Sequence, residues 1–481
     1  MPKRIILITI DCLRPDHLQL YGYNKNIAPN IEKVSKRAII FDNAIANSAY
    51  TVGSFYSIFT STTPTLDGDY APIPNYKRIL AEILQEDSIL TCAIHSNPHL
   101  GKLCNYHKGF DDFIDLKDSQ QQTVKQNFKK KVSLIVNRLK LNKLIEKLSQ
   151  NVNLIDRLPS FVLEMKSPYA DAKTITINAL NWLKKNYNKS FFLWIHFMDA
   201  HRPYLPHPEY IKKVSNKTFS SSEIRQLNNT FNFTEDSDVY KTISNEFINN
   251  VKVLYDTGIY YIDHFLGILF TYLKKLAIFD STNLIITSDH GQSLFNHNKI
   301  SHRDSLYDEL LKVPFIIKPD YLAIKQKRIK DQIELNDLAP TILNFFNIAK
   351  EKDFSGVNLI PLIEGENNFF HSNYVISAFY HKKQSMYGFL NKENFKFFIK
   401  ISCRTTNWKL IYDDETKKIE FFNLKKDPHE LIDLNNSIIE EVVYIKNELF
   451  KKIKPLIKSY DLEKNKVISA VQIKKDFLKN I

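Results

Sequence analysis

Acidic and imidazole side chains follow several of the apolar runs in this sequence. Asp11 comes directly after "RIILITI", Asp199 follows "FFLWIHFM", and Asp289 and His290 follow "NLIITS". Two carboxylates and an imidazole form a ligand set that suits Mn²⁺, Zn²⁺, Mg²⁺ or Ca²⁺. A single aspartate after a strand is more often a turn or cap residue. Only the residues taken together therefore indicate a metal site.

A hydroxyl-rich stretch, "AYTVGSFYSIFTSTTP" at residues 49–64, contains the candidate nucleophiles. A serine or threonine hydroxyl is a weak nucleophile and needs a base or a metal ion to activate it. Glycine is scarce, at 11 of 481 residues, yet Gly53 and Gly291 both adjoin the candidate residues. We expect Gly53 to allow a close backbone approach or a tight turn. By residue type alone, the candidate nucleophiles are Thr51, Ser48, Ser54 and Ser57.

Buried strands and amphipathic helices must position these side chains. Apolar, β-branched runs predict strands at 4–11, 88–97, 191–201, 282–291 and 313–318. Helical patterns lie between them at 27–38, 76–86, 171–186 and 249–275. This alternation predicts an α/β fold with a mostly parallel sheet flanked by helices. Ligands of such sheets bind beyond the carboxyl ends of the strands, which is where Asp11, Asp199 and Asp289 fall.

Two further regions differ from this alternation. Residues 118–165 are rich in lysine and have apolar residues at helical spacing, which predicts a helical insertion. The runs "KFFIKIS", "WKLIYDD" and "KIEFFNL" predict a small antiparallel sheet that is followed by a basic helical tail. We therefore expect a catalytic domain at 1–375 and a smaller C-terminal subdomain at 376–481.

Composition excludes several classes of protein. The net charge of +13 agrees with an anionic partner, but no arginine-rich tract or nucleic-acid module is present, so no nucleic-acid partner is expected. The four cysteines are scattered and form neither a zinc-ligand pattern nor a disulfide framework. No window is long and apolar enough to span a membrane, and the N-terminal run is too short for a signal peptide. These features predict a cytoplasmic location.

The ordered motifs resemble the sulfatase branch of the alkaline-phosphatase superfamily. "TIDCLRPDHLQLYGY" is similar to the family's first metal motif, and "AYTVGSFYSIFTSTTP" is similar to its nucleophile segment. "HFMDAHRPYLPHP" resembles the substrate-histidine motif, and "TSDHGQSLFNHNKISHRDSLYDELLKVPFIIK" resembles the second metal motif. The resemblance implies an alkaline-phosphatase-like fold and hydrolysis of an ester bond.

The resemblance also implies a role for individual residues. Thr51 takes the position of the nucleophile, in a segment where a turn leads into a helix. His201 and His302 fall where the family binds the transferred anion or protonates the leaving group. The implied ligands of one divalent ion, Mn²⁺, Zn²⁺ or Ca²⁺, are Asp11, Thr51, Asp289 and His290.

Other polar residues near these motifs have two interpretations each. Asn97 either contacts substrate or belongs to a turn, and His196 and His297 have either a packing or a functional role. Asp199 is expected to orient His201, although a second metal would also suit it. Asp16 is expected to cap a helix.

The sequence departs from the sulfatase pattern at the nucleophile. The family motif is Cys or Ser, any residue, Pro, any residue, Arg, whereas this chain has Thr51 at its start and Phe55 in place of the arginine. A threonine cannot form the formylglycine hydrate that releases sulfate. The second aspartate of the first metal motif is Cys12, and the final ligand, usually Asn, is His290.

These departures predict a metal-dependent hydrolase of phosphate or phosphonate mono- or diesters that forms a covalent threonine intermediate. Hydrolysis of sulfate esters is the first alternative. The second is transfer of a phospho-substituent to a glycan or lipid head group, and the third is a binding protein without catalysis. The insertion at 118–165 covers the active-site edge or makes a weak peripheral contact with an anionic membrane.

Overall fold

A mostly parallel sheet forms the centre of the protein. The computed structural model describes residues 2–64, 72–116, 167–229, 243–302, 305–320, 325–366, 372–383 and 396–479. Within these ranges the strands are β1 (Arg4–Ile10), β2 (Ile39–Ile45), β3 (Leu90–His95), β4 (Asp112–Asp115), β5 (Phe191–Phe197), β6 (Asn283–Thr287), β7 (Ser293–Leu294), β8 (Ile300–Ser301), β9 (Lys312–Lys318), β10 (Lys327–Glu334), β11 (Val375–Lys383), β12 (Lys396–Arg404), β13 (Trp408–Asp413) and β14 (Ile419–Asn423).

Helices cover both faces of this sheet. In the described part of the chain they are α1 (Pro29–Ser35), α2 (Thr51–Thr60), α3 (Leu80–Glu86), α4 (Ala172–Asn186), α5 (Pro208–Val214), α6 (Ser221–Asn229), α7 (Asn245–Lys275), α8 (Asp308–Leu311), α9 (Leu338–Phe345), α10 (Ile360–Glu364) and α11 (Glu440–Lys479). Short 3₁₀ turns lie at Pro15–His17, Gln19–Tyr21, Pro98–Leu100, Lys102–Cys104, Asn296–Asn298 and Leu335–Asp337.

The strand order of the central sheet is β10-β2-β9-β6-β1-β5-β3-β4. β1 pairs in parallel with β5 and β6, whereas β9 runs antiparallel to both of its neighbours. The predicted α/β fold is confirmed, and four of the predicted helices correspond to α1, α3, α4 and α7. "VPFIIK" forms β9, which is the reversed strand of an otherwise parallel sheet.

The sheet is buried on both faces because its central strands are apolar at successive positions. In β1, Ile6 and Ile8 pack in one hydrophobic cluster, while Ile5 and Leu7 pack in the cluster on the other face. Side chains of a strand alternate between the two faces of a sheet, so a continuous apolar run supplies buried side chains to both clusters. Every residue of β1 and of β5 is buried.

The register of the central strands aligns their carboxyl ends. Ile10 pairs with Phe197, and Thr9 pairs with both His196 and Thr287, so β1, β5 and β6 end at the same edge of the sheet. The polar residues that follow these strands are therefore brought to one place.

An antiparallel sheet of β11, β12, β13 and β14 packs beside the central sheet and is covered by α11. The backbone N–H of Ala378 in β11 donates to the carbonyl of Asn47 at 2.9 Å, and the ring of Phe379 stacks on Tyr50 at 4.4 Å. The three predicted C-terminal strands are confirmed as β12, β13 and β14. The domain boundary at 375 stays a prediction, although β11 begins at Val375.

The predicted helical insertion at 118–165 lies outside the described residues. Its proposed membrane contact and its proposed role as a cover of the active site therefore stay predictions. Among the helices that the structure describes, none is both long enough and apolar enough to cross a membrane.

Candidate active site

Four of the predicted site residues meet at the carboxyl edge of the sheet. Asp11 follows β1, Asp289 and His290 follow β6, and Thr51 is the first residue of α2. The Thr51 hydroxyl oxygen lies 3.2 Å from His290 Nε2 and 3.4 Å from Asp11 Oδ2. His290 Nε2 lies 3.5 Å from Asp289 Oδ2. The structure thus brings together the hydroxyl, both carboxylates and the imidazole.

Thr51 differs from the rival serines in the contacts of its hydroxyl. Ser54 donates a hydrogen bond to the carbonyl of Asp289 at 2.5 Å, and Ser57 donates to the carbonyl of Gly53 at 3.3 Å. Ser48 is buried, and its hydroxyl has no hydrogen-bond partner within the described ranges. Because Thr51 begins α2, it also lies at the positive end of the helix dipole, where negative charge is stabilised.

Of the two roles expected of Gly53, the tight turn is wrong and the close backbone approach stays a prediction. It lies inside α2, with its carbonyl in a side-chain hydrogen bond from Ser57, and it forms no tight turn. Gly291 is the glycine that packing requires, because a Cβ atom there would lie 2.0 Å from the carbonyl oxygen of Glu309. Its own N–H donates to the carbonyl of Leu310 at 2.8 Å, which holds the loop after β6 against α8.

The two carboxylates are wholly buried and only partly satisfied. Asp11 Oδ1 and Asp289 Oδ2 accept no hydrogen bond from any described residue. Burial alone would raise the pKa of Asp11, but the imidazoles around it hold that pKa well below its usual value. Burial, reinforced by the negative charge of Asp11, raises the pKa of Asp289. Buried carboxylates in this state are costly unless a positive charge compensates them.

A divalent cation fits this arrangement. One ligand atom from each of Asp11, Asp289 and His290 lies within 4.8 Å of the others. His290 Nδ1–H donates to the carbonyl of Gly291 at 2.8 Å, so in the neutral ring Nε2 carries a lone pair toward Thr51. Carboxylate oxygens with an imidazole nitrogen suit Mn²⁺ or Zn²⁺, and the carboxylates alone suit Ca²⁺.

Asn97 contacts a carboxylate of this group. Its amide Nδ2–H donates to Asp11 Oδ2 at 3.2 Å, while its Oδ1 accepts from the N–H of His99 at 2.9 Å. The second bond caps the 3₁₀ turn that follows β3, which confirms that Asn97 belongs to a turn. The amide also fixes the direction of the Asp11 carboxylate.

His201 and His302 lie beside the carboxylates with their rings 5.4 Å apart. His302 is also 4.7 Å from the ring of His290, and His201 Nδ1–H donates to the carbonyl of Arg202 at 2.5 Å. Burial lowers the pKa of His201, and burial together with the neighbouring imidazoles lowers the pKa of His302 further. Both rings therefore favour the neutral form until an anion approaches.

His196 contacts the site from within the sheet. Its Nε2 lies 3.4 Å from Asp11 Oδ2, and its Nδ1 lies 2.9 Å from the hydroxyl of Thr9. Trp194 Nε1–H donates to that hydroxyl at 2.9 Å, and the hydroxyl also lies 3.4 Å from the carbonyl oxygen of Ile195. His196 Nε2 faces Asp11 but makes no hydrogen bond with any described residue.

Two of the residues with two interpretations make structural contacts. His297 forms an ion pair with Glu309 at 2.8 Å and stacks on Tyr307 at 3.8 Å. Asp199 accepts a hydrogen bond at 3.2 Å from the N–H of Ala172, which is the first residue of α4. This bond replaces the contact with His201 that we expected. Burial raises the pKa of Asp199 to about 8.

Asp16 does not cap a helix, because it lies inside a 3₁₀ turn and pairs with Arg14 at 2.6 Å. Phe55 is wholly buried against Phe59, Trp194 and His196, and so it has no polar role toward a bound anion.

Cys12 is a site residue that sequence reasoning missed. Its sulfur lies 3.9 Å from Nδ1 of His290 and 3.9 Å from Nδ1 of His302. Burial and the charge of Asp11 raise the pKa of its thiol well above the usual value. Its position next to Asp11 could have indicated this role, because the sulfatase motif has a second aspartate at that place.

Comparison with known families decides the classification. The family model described as "Sulfatase" matches residues 3–348, which is more than half of the chain. The chain belongs to the sulfatase family. A second model, described as "N-sulphoglucosamine sulphohydrolase, C-terminal", matches residues 297–459. The predicted resemblance and an ester-hydrolysing activity are therefore confirmed.

Curated relatives of this sulfatase-family chain carry sulfatase names. It is 24% identical to an arylsulfatase of Clostridium perfringens, with 98% of each chain covered. It is 29% identical to an N-acetylglucosamine-6-O-sulfatase of Bacteroides thetaiotaomicron over 41% of this chain and 34% of that protein. These names fit the sulfate alternative better than the phosphate or phosphonate preference that Thr51 led us to expect.

Solved structures support the fold. One neighbour, determined in complex with its substrate D-glucosamine-2-N,6-O-disulfate, has a TM-score of 0.65 at 19% identity and covers 96% of this chain and 98% of its own. A phosphonate monoester hydrolase of Agrobacterium radiobacter has a TM-score of 0.68 at 14% identity, with 95% and 96% covered.

Proposed function

We propose that this sulfatase-family enzyme hydrolyses a sulfate ester, with Thr51 as its nucleophile. The observation that carries the proposal is the Thr51 hydroxyl, which lies at the start of α2 and within 3.4 Å of both Asp11 and His290. The sulfate class is supported by the likeness to an arylsulfatase that extends over 98% of both chains. A sulfated sugar is a candidate substrate because one structural neighbour holds a sulfated glucosamine.

The ligands proposed for one divalent ion are Asp11, Thr51, Asp289 and His290. When bound, such an ion lowers the pKa of a coordinated hydroxyl and neutralises charge on the transferred group. The unpartnered carboxylate oxygens of Asp11 and Asp289 support this assignment. The hydrogen bond from Asn97 orients the Asp11 carboxylate, which supports a positioning role, and the contact of Asn97 with substrate stays a prediction.

The chain's own residues supply the covalent steps. The Thr51 oxygen gives its proton to solvent and attacks the sulfur, and the bond from sulfur to the ester oxygen breaks, which gives a threonine sulfate and the alcohol. His201 and His302 lie where an approaching anion favours their protonated forms, and either ring then gives a proton to the leaving alcohol. Water next attacks the sulfur and breaks its bond to the Thr51 oxygen; one proton of the water restores the Thr51 hydroxyl, and the sulfate leaves with the other.

A phosphonate or phosphate ester is the second candidate, and a specific observation favours it. Thr51 cannot expel sulfate as an aldehyde hydrate does, and the buried Phe55 supplies no cation to such a hydrate. Water opens a threonine phosphoester by in-line attack at phosphorus, a displacement that a divalent ion assists by stabilising the charge on the oxygens. Transfer to another acceptor would differ only in the molecule that attacks at this step.

The test is a side-by-side comparison of aryl sulfate, phosphate monoester, phosphodiester and phosphonate substrates with matched leaving groups. It uses protein loaded in turn with Mn²⁺, Zn²⁺ and Ca²⁺, with Thr51→Ala as the background control. We expect kcat/KM to be highest for the sulfate. A higher value for any phosphorus ester would move the assignment to the second candidate, and rates equal to the control on all four would contradict ester hydrolysis.

A further inference from the structure

The backbone of Cys12 has a conformation that this residue type rarely adopts. Its φ angle is +64°, in the left-handed region that glycine or asparagine normally occupies. Such a conformation costs about 1–3 kcal/mol and persists when the surroundings hold it in place. Backbone strain of this kind clusters at functional sites.

Neighbouring groups fix the turn that carries Cys12. The Tyr255 hydroxyl donates to the carbonyl of Cys12 at 2.7 Å and accepts from the N–H of Arg14 at 3.0 Å. The N–H of Leu13 donates to the Ser288 hydroxyl at 2.9 Å. These bonds come from α7 and from the loop after β6, so they join the thiol to the loop that carries Asp289 and His290.

The thiol belongs to two groups of possible metal ligands. Ligand atoms of Asp11, Cys12 and His201 lie within 4.8 Å of one another, and the same is true of Cys12, His290 and His302. Each group shares one residue with the set of Asp11, Asp289 and His290. Cys12 is thus a direct neighbour of the proposed cation position.

The spacing agrees with thiolate ligation. Zn–S and Zn–O bonds of usual length in a tetrahedral site place sulfur and oxygen about 3.6 Å apart. The Cys12 sulfur and a carboxylate oxygen of Asp11, which is a proposed ligand, lie within 4.8 Å of each other, so a shift of about an ångström brings them to ligand spacing. The buried, unpartnered Oδ1 of Asp11 points independently to a missing positive charge in the same place.

We propose that Cys12 is a ligand of this metal centre and that its sulfur makes the centre select Zn²⁺ over Ca²⁺ and Mg²⁺. The inference rests on the metal site of the proposed function. Ca²⁺ and Mg²⁺ bind oxygen ligands, whereas Zn²⁺ accepts thiolate, imidazole and carboxylate together. On binding, the thiol loses its proton to solvent and the sulfur–metal bond forms.

The first experiment is X-ray absorption spectroscopy of the Zn²⁺-loaded wild-type protein. We expect a sulfur shell at about 2.3 Å from the metal. A first shell made only of nitrogen and oxygen would overturn the proposal. This measurement needs no substitution and no substrate, so it separates failure of the ligand assignment from failure of the proposed function.

Variants provide the second experiment. Co²⁺-loaded wild-type protein should show a thiolate-to-metal charge-transfer band, which Cys12→Ser should lose. Cys104→Ser is the matched control, because Cys104 is half-buried in a 3₁₀ turn away from the site, and it should keep the band. Cys12→Asp should lower the ratio of Zn²⁺ to Ca²⁺ affinity by about 10-fold or more. An unchanged ratio and an unchanged band would overturn the proposal.

Discussion

The contacts of Asp11 show how individual residues prepare this site. Its Oδ2 is approached by the amide of Asn97 at 3.2 Å and by His196 Nε2 at 3.4 Å, while its Oδ1 is left for another partner. The Thr9 hydroxyl lies 2.9 Å from the other nitrogen of the His196 ring and so holds the ring in place. Contacts inside the sheet thereby position an imidazole beside a carboxylate at the edge of the sheet.

Replacing His196 with Ala should weaken metal binding without removing a ligand. Loss of a group that orients a metal-binding carboxylate typically costs about 10- to 100-fold in affinity. Isothermal titration of the metal-free protein measures this effect. Thr9→Val, which keeps the ring but removes the bond to Nδ1, should produce a smaller loss in the same direction, and unchanged affinity in both variants would contradict the positioning role.

At the residue scale, the sequence predicted the meeting of Asp11, Asp289 and His290 because each follows a strand of one parallel sheet. It did not predict the contact of Cys12, since the only signal was its position next to Asp11 and a cysteine without a spaced partner matches no metal-ligand pattern. The prediction that Asp199 orients His201 was wrong, because the Asp199 carboxylate accepts a hydrogen bond from the N–H of Ala172 at the N-terminus of α4. Long-range packing of this kind is not encoded in local spacing.

At the scale of elements, buried charges join the antiparallel sheet to α8. Asp308, the first residue of α8, accepts hydrogen bonds from Arg404 of β12 at 2.8 Å and from Lys409 of β13 at 2.8 Å. Lys409 also contacts Glu430 at 2.8 Å, and Glu430 accepts from the N–H of Asp308 at 2.6 Å. This network fixes the C-terminal sheet next to the loop that carries His302.

Acid should weaken this connection. Burial opposes ionisation of Asp308, but Arg404 and Lys409 outweigh it and hold the pKa of that carboxyl below its usual value. A depressed folded-state pKa adds stability above the unfolded pKa of about 3.9, and that stability is lost as the pH falls below it. Burial raises the pKa of Glu430 to about 7. The pH dependence of stability that comes from Glu430 is therefore opposite to that from Asp308: the protonated Glu430 stabilises the fold at low pH, and this stabilisation declines as the pH rises toward 7.

The variant Asp308→Asn tests this element. It should lower the free energy of unfolding at neutral pH by about 3 kcal/mol, because two cations lose a buried partner. It should also flatten the acid dependence below about pH 4. Urea unfolding measured from pH 3 to pH 7 gives both quantities, and a variant with the slope of the wild type would show that Asp308 is not the titrating group.

The central strands were predictable from sequence because fully buried strands are continuous apolar runs. β2 and β10 were not, since their polar residues interrupt the pattern: β2 contains Asp42 and Asn43, where the register shifts between Phe41 and Ala44. β11 was also not predicted, because what identifies it as a strand is its pairing with β12, and that pairing is visible only in the folded sheet.

At the scale of the whole molecule, a cation would connect elements that are distant in the sequence. Asp11, Thr51 and Asp289 come from three separate parts of the chain, and their contacts involve β1, α2 and the loop after β6. A ligand that binds only the folded state stabilises it by about 2.7 kcal/mol at one hundred times its dissociation constant.

Chelation should therefore change both activity and stability. Removal of the metal should abolish ester hydrolysis and lower the melting temperature, and restoring a divalent ion should recover both. Thermal unfolding and turnover measured on the same samples, before and after exhaustive dialysis against a chelator, give the comparison. Full activity in the metal-free protein would contradict a metal-dependent site.

The most direct test of the central claim is the turnover of Thr51→Ala measured beside Ser57→Ala on the best substrate of the panel. Both changes remove a hydroxyl from α2, but only Thr51 lies against Asp11 and His290, whereas Ser57 bonds a carbonyl of its own helix. We predict that Thr51→Ala lowers kcat by about 10⁴-fold or more with its fold retained. Ser57→Ala should stay within about threefold of the wild type, because its hydroxyl does not reach the reacting atoms. A Thr51→Ala enzyme with turnover close to that of the wild type would contradict the assignment of Thr51 as nucleophile.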